Sequence, residues 1–248
     1  MGKSFHKRAP PNFVAIDFET ANDEPETACA VGLVRVEKGR IVSRQHYYIR
    51  PPYCNFFFSY LHGISWKDVK TKPSFAGLWP SLRKALSGVE FLAAHNAHFD
   101  QAVLSACCQT AKIEPPDLPF LCTIHLARRA WNIYPTNLLN VCRHLGFELN
   151  HHEALSDAEA CARIVLAAYK KNGLGSWMHR RLNRFLSKKL PETNNSSAHT
   201  YIDAVTVNAR LASKRRLPLS ANIKSSSRHA NYRFEHIVSY SSGKVIAK

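Results

Sequence analysis

The sequence predicts an α/β domain built on a mixed sheet. Three observations carry this. Alternating apolar segments joined by short turns open the chain, as in an antiparallel meander. A short apolar run at 89–94 leads straight into a helical pattern. Further helical patterns then fill the chain to about residue 170, and strands followed by helices point to an α/β class. The 248 residues, 45% hydrophobic, can bury a full core with a smaller piece to spare. No run of 18 or more apolar residues occurs, so no membrane span is expected.

The first strand reads Phe13-Val14-Ala15-Ile16-Asp17-Phe18-Glu19-Thr20. Side chains alternate across a strand, so Asp17 and Glu19 share one side while Val14, Ile16 and Phe18 fill the other. Two carboxylates one pleat apart repel unless a divalent cation, Arg or Lys lies between them. On this pair alone, a water-facing strand end and a metal site both remain open. Residues 21–26 form a polar turn containing Pro25. Residues 28–36 make a second strand, and Gly39 turns the chain into a third at 40–49, which Pro51-Pro52 ends. Phe56-Phe57-Phe58 follows in a loop. Three adjacent aromatics cannot all face one side, so either part of the run is exposed or meets a partner, or the whole loop packs on the core.

Leu61-His62-Gly63-Ile64-Ser65 precedes a short polar segment. Ser74 N-caps a helix reaching about Leu86, with Pro80 kinking it. The buried strand at 89–94 runs into His95-Asn96-Ala97-His98-Phe99-Asp100. Phe99, Val103, Ala106 and Cys107 recur at helical spacing, which puts Asp100 in or near a first turn. A proline-rich connection at 113–119 leads to helices at 123–131 and 137–145. Ser156 and Glu159 have capping-box spacing and place the last helix start near Asp157, continued by Ala160, Ile164, Val165 and Ala168.

Charge divides the chain. Residues 1–170 carry a net charge of +4 and residues 171–248 a net charge of +12, which makes nucleic acid the leading partner. The organisation expected is a basic tail at 1–11, a domain at 12–170 and a basic extension at 171–248. Residues 1–11 lack an apolar run and do not read as a signal peptide, and His6 breaks the myristoylation pattern. The extension opens with a basic amphipathic pattern at 174–190, which either docks on the core or binds phosphate. An Asn/Ser-rich linker at 192–200 follows, then a weak strand pattern at 232–240. There Arg233 lies between Tyr232 and Phe234, a pairing that could stack on bases in an otherwise loosely folded tail. The seven cysteines are odd in number and lack Cys-x-x-Cys spacing. That fits reduced, buried thiols in a cytoplasmic protein and gives no reason to expect a zinc site.

Four segments together resemble one family. Asp-Phe-Glu-Thr at 17–20, His-Gly-Ile-Ser at 62–65, His-Asn-Ala-His-Phe-Asp at 95–100 and His-Glu-Ala-Leu-Ser-Asp at 152–157 resemble, in order and spacing, the motifs of the DEDDh 3′–5′ exonucleases. The resemblance extends over about residues 12–170. It implies a ribonuclease H-like fold with a five-stranded sheet. It also implies two divalent metal ions, Mg²⁺ or Mn²⁺, held by Asp17, Glu19, Asp100 and Asp157. Asp17 would bridge both ions, Glu19 and Asp157 would hold the one beside the nucleophilic water, and Asp100 would serve the other. His152, five residues before Asp157, would be the general base, with His151 a confusable neighbour. Phe18, Thr20, Leu61, His62, Ile64, Asn96 and Phe99 would bind substrate, with Ile64 or Leu61 wedging the last bases apart. The partner implied is nucleic acid with a 3′ end, DNA or RNA, single-stranded or frayed. A polymerase or a second copy of the chain are further partners to expect. An inactive nucleic-acid-binding module on the same scaffold is the competing reading.

Overall fold

The computed structural model of the protein describes residues 10–172. The basic pattern at 174–190, the linker and the pattern at 232–240 lie outside them. Strand β1 (Phe13–Thr20) pairs antiparallel with β2 (Ala28–Glu37), and β2 pairs antiparallel with β3 (Arg40–Tyr48). A two-residue turn with left-handed Lys38 and Gly39 joins β2 to β3, the backbone shape that tight hairpins require. On the other side of β1, β4 (Phe91–Ala94) and then β5 (Phe120–Cys122) add in parallel. The strand order is β3-β2-β1-β4-β5. The mixed five-stranded sheet expected from the sequence is therefore present, with β1 at its centre.

Helices cover both faces. Val14, Ile16 and Phe18 pack with α3 (Phe75–Leu86) and α4 (Ala97–Thr110) through Leu78, Leu82, Val103 and Cys107. Phe13 and Ala15, on the opposite face, pack with α5 (Thr123–Trp131), α6 (Leu138–Leu145) and α7 (Ala154–Asn172) through Leu126, Val141, Ile164 and Val165. This second face continues along β1 as Asp17 and Glu19. The apolar layer thus gives way to carboxylates at one end of the strand.

Several local expectations are met. Ser74 caps α3 by accepting from the Gly77 N–H, and the helix continues past Pro80 to Leu86. Asp100 lies in the first turn of α4. Six of the cysteines are buried or half-buried and Cys54 is exposed; all seven are free thiols. Other details differ. Residues 59–62 and 66–69 form two four-residue helices, α1 (Ser59–His62) and α2 (Trp66–Val69), which are too short to leave a periodic pattern. The last helix starts at Ala154, ahead of the expected start near Asp157. Glu153 already accepts from the Leu155 and Ser156 N–H groups, so Ser156 is left inside the helix and accepts from Asn150 N–H instead. Glu159 serves no capping box. It pairs with Arg44 on β3 and Arg163 one turn on.

Candidate active site

The four acids come from three elements that meet at one end of β1. Asp17 and Glu19 project from the strand, Asp100 from the first turn of α4 and Asp157 from the first turn of α7. The chain leaves β1 toward β2 on one side, while β4 lies on the other. Such a switch point opens a crevice at the strand ends. The helix α7 reaches the strand because β2 carries Gly32 opposite Asp17. A Cβ at Gly32 would lie 2.1 Å from the Ala154 carbonyl oxygen, so only glycine lets the first turn of α7 rest directly on the sheet.

Asp100 and Asp157 are 1% and 4% exposed, while Asp17 and Glu19 keep a partial opening to solvent. Burial, with Asp100, Asp157 and Glu19 close by, holds the Asp17 carboxyl well above its usual range. Burial, with Asp157 and Asp100 near, pushes Glu19 up to about 8. Asp100 is likewise raised to about 8, chiefly by burial, although the Phe18 N–H donating to its Oδ1 at 3.0 Å pulls the other way. Among the described residues, no lysine or arginine side chain pairs with any of the four carboxylates. Two buried oxygens, Asp100 Oδ2 and Asp157 Oδ1, have no hydrogen-bond partner among the described residues. A buried carboxylate oxygen with neither donor nor cation is costly. The cluster therefore fits hard divalent cations: its donors are all oxygen, and its orphaned atoms are acceptors.

Asp157 is fixed through its other oxygen. Its Oδ2 accepts from His151 Nδ1–H at 2.9 Å and from the His152 backbone N–H at 3.2 Å. His152 reaches this position in a left-handed conformation, φ +68°, a strain that its backbone hydrogen bond to Asp157 helps to hold. The two imidazoles stack with centroids 3.9 Å apart and planes 19° from parallel. One donor atom each from His151, His152 and Asp157 lie within 4.8 Å of one another, but nearly parallel rings do not aim their lone pairs at one ion. Burial lowers the His152 pKa, and His151 lowers it further, so the ring is neutral at pH 7.

The expected substrate residues divide. The Phe18 side chain is buried in the α3–α4 core, which leaves its backbone as the part facing the acids. Thr20 is buried, and its hydroxyl donates to the Asn22 carbonyl. Ile64 is buried with Cys29, Ala30, Val69 and Ala154, whereas Leu61 is half-exposed; of the two expected wedge residues, Leu61 is the more open. Asn96 is exposed in a left-handed conformation at the start of α4, and Phe99 is half-buried. His62 accepts from the Ile64 N–H at Nδ1, so its Nε2 carries the proton and donates to the Thr20 carbonyl at 3.1 Å. Burial lowers its pKa and keeps it in this neutral form. Its ring thus latches the 59–64 segment to the end of β1.

The model of the RNase T exonuclease family matches residues 14–165. The chain belongs to this exonuclease family. The exonuclease domain is 28% identical over 158 residues to a PolC-type DNA polymerase III of Thermotoga petrophila, covering 62% of this chain and 12% of that polymerase. It is 30% identical over 155 residues to exodeoxyribonuclease 10 of Escherichia coli, covering 58% of this chain and 62% of that enzyme. The chain thus spans a small part of the polymerase and less than two thirds of the exodeoxyribonuclease. The nuclease domain of 3′hExo, a DEDDh family member solved bound to rAMP, shares the fold. That match has a TM-score of 0.55 at 19% identity and covers 69% of this chain and 96% of that domain. The fold is ribonuclease H-like, as the sequence motifs implied.

Sequence reading missed Gly32, whose role depends on a helix 122 residues away, and the bond from His151 to Asp157. The doubled histidine was the one signal for the second.

Proposed function

We propose that the protein is a metal-dependent 3′–5′ exonuclease that releases nucleoside 5′-monophosphates from DNA. The observation that carries this is the group of four acids with two buried, unpartnered carboxylate oxygens beside a neutral histidine. Asp17, Glu19 and Asp157 would hold one divalent ion, and Asp17 with Asp100 a second. Bound there, Mg²⁺ or Mn²⁺ would supply positive charge for the attacking, leaving and non-bridging oxygens of the phosphodiester. The chain's own residues do the rest. His152 accepts the proton of the attacking water at its free ring nitrogen, and its lowered pKa keeps that nitrogen unprotonated near neutrality. His151 and the His152 N–H hold Asp157 by one oxygen and leave the other facing the site. The latched 59–64 segment sets Leu61 beside the 3′ end, where it separates the last bases.

DNA is favoured as substrate by the likeness to exodeoxyribonuclease 10. RNA is the second reading, since a DEDDh nuclease domain with the same fold was solved with rAMP. The polymerase likeness covers an exonuclease-sized segment, so docking to a polymerase is a further proposal. The test is a time course on 5′-labelled DNA and RNA strands with Mg²⁺ or Mn²⁺, wild type beside Asp17→Ala. Stepwise mononucleotide release that vanishes in Asp17→Ala is expected, with DNA cleaved faster. Binding without release by wild type in either metal would leave the inactive binding module as the better account.

A further inference from the structure

Phe56-Phe57-Phe58 does not pack entirely on the core. Phe57 is 66% exposed and Tyr60, three residues on, is 68% exposed. Large apolar side chains this open are common singly, but these two sit on a fastened segment. The Ala21 carbonyl, one residue past the end of β1, accepts from both the Phe57 N–H at 2.7 Å and the Phe58 N–H at 3.0 Å. Asn22 Nδ2 donates to the Asn55 carbonyl at 3.1 Å. His62 Nε2 donates to the Thr20 carbonyl. Phe56 packs against Trp66, with ring centroids 6.5 Å apart. Segment 55–62 is therefore tied to the three residues that follow Glu19, and the two exposed aromatics are carried on a segment fastened beside the acid end of β1.

The segment that carries them is basic, although the exposed acids Asp23 and Glu24 follow Asn22 on the turn it is bonded to. Residues 50–72 contain Arg50, Lys67, Lys70 and Lys72 against the single acid Asp68. That acid is engaged in capping α2, where Ser65 N–H and Oγ–H both donate to it. Exposed aromatics among cations suit a strand that offers a π-face at every base and a phosphate at every step.

Resting on the exonuclease reading above, we propose that Phe57 and Tyr60 form a stacking surface for the bases upstream of the 3′ terminus, so that the site holds a single-stranded tail several nucleotides long. Tyr60 adjoins Leu61 in the chain, so the surface begins next to the wedge residue. It makes the substrate a single strand rather than a dinucleotide or a closed duplex end. Stacking on one aromatic side chain contributes roughly 5- to 150-fold in affinity per base.

The test compares binding of a fluorescent dinucleotide and hexanucleotide of single-stranded DNA by anisotropy, using the full chain with EDTA present to stop turnover. Wild type should bind the hexanucleotide far more tightly. In Phe57→Ala/Tyr60→Ala this gain should shrink about 10-fold or more, and Tyr60→Trp should keep much of the gain that Tyr60→Ala loses. Val42→Ala, which removes an exposed apolar group from β3, should keep the wild-type gain. Equal loss for both lengths would overturn the proposal, because the side chains would then support the terminal site or the fold. An undiminished gain would also overturn it and leave the patch to a protein partner. Turnover is assayed in parallel with Mg²⁺. A length-dependent gain in a wild type that releases no nucleotide would overturn the exonuclease reading while supporting the stacking surface.

Discussion

Replacing His151 with phenylalanine separates two contacts that the native ring makes at once. The stack on His152, at 3.9 Å between centroids, can be kept by another flat ring. The bond from Nδ1–H to Asp157 Oδ2, at 2.9 Å, cannot. The Asp157 side chain is 6% exposed, so water does not replace the lost donor easily. One donor remains, the His152 N–H at the longer distance of 3.2 Å. A hydrogen bond to a charged group contributes about 1.5–3 kcal/mol, a factor of roughly 10 to 150. Loss of a group that orients a metal ligand lowers metal affinity by about 10- to 100-fold, and the two estimates agree. The expected result is therefore Mn²⁺ binding weakened by about 10- to 100-fold in His151→Phe, measured by loss of the free-ion EPR signal on titration. His151→Asn, whose amide can donate to the same oxygen, should lie nearer wild type. Mn²⁺ affinity in His151→Phe within about twofold of wild type would refute the reasoning, since Asp157 would then be held without the ring.

His152→Ala should act differently, cutting kcat by about 10²- to 10⁴-fold at saturating metal, as removal of a general base does. Gly32→Ala drives a methyl into the Ala154 carbonyl. It should cost roughly 1–3 kcal/mol, seen as a melting temperature lower by about 2–10 °C, with activity lost beyond that fraction because Asp157 rides on the displaced turn. Glu19 and Asp100 have folded pKa values raised to about 8, above their unfolded values. Their neutral forms are compatible with burial, so metal-free protein should be most stable below about pH 4 as far as these groups decide. That stability should fall as pH rises through 8. Mg²⁺ should restore the melting temperature at pH 8 and have little effect at pH 5. Glu159 shows the opposite sign. Arg44 and Arg163 depress it to about 2, so its contribution is present above pH 4.5 and lost in stronger acid. Both arginines are largely exposed, and Glu159→Gln should cost about 1 kcal/mol or less in urea unfolding.

The meander was legible because each strand alternates or runs apolar and the 38–39 turn has its glycine. The acids were legible because each sits where an element ends or begins, and such edges need few distant contacts to be read. β5 was not legible as a strand. Three residues after a proline-rich stretch carry no pattern of their own, and Phe120–Cys122 is a strand by virtue of pairing with β4. The start of α7 was misplaced because Ser156 and Glu159 satisfy a spacing rule, while Glu153, three residues earlier, already caps the helix. The division of the wedge candidates, Ile64 inside and Leu61 at the surface, depends on how α2 and α7 close over β2. No local pattern encodes that.

The bare backbone at Gly32 has a consequence for how this sequence can drift. Where strand and helix touch through side chains, each change of volume in the core alters their separation. Here the helix carrying Asp157 rests on the peptide unit opposite Asp17. The interval between those two acids is thus gauged by covalent dimensions, which substitutions cannot alter. Exchanges among the valines, leucines and isoleucines of either face should register as gains or losses in melting temperature and leave the calibration of the acid cluster untouched. The core is free to vary because the spacing of the site does not depend on it.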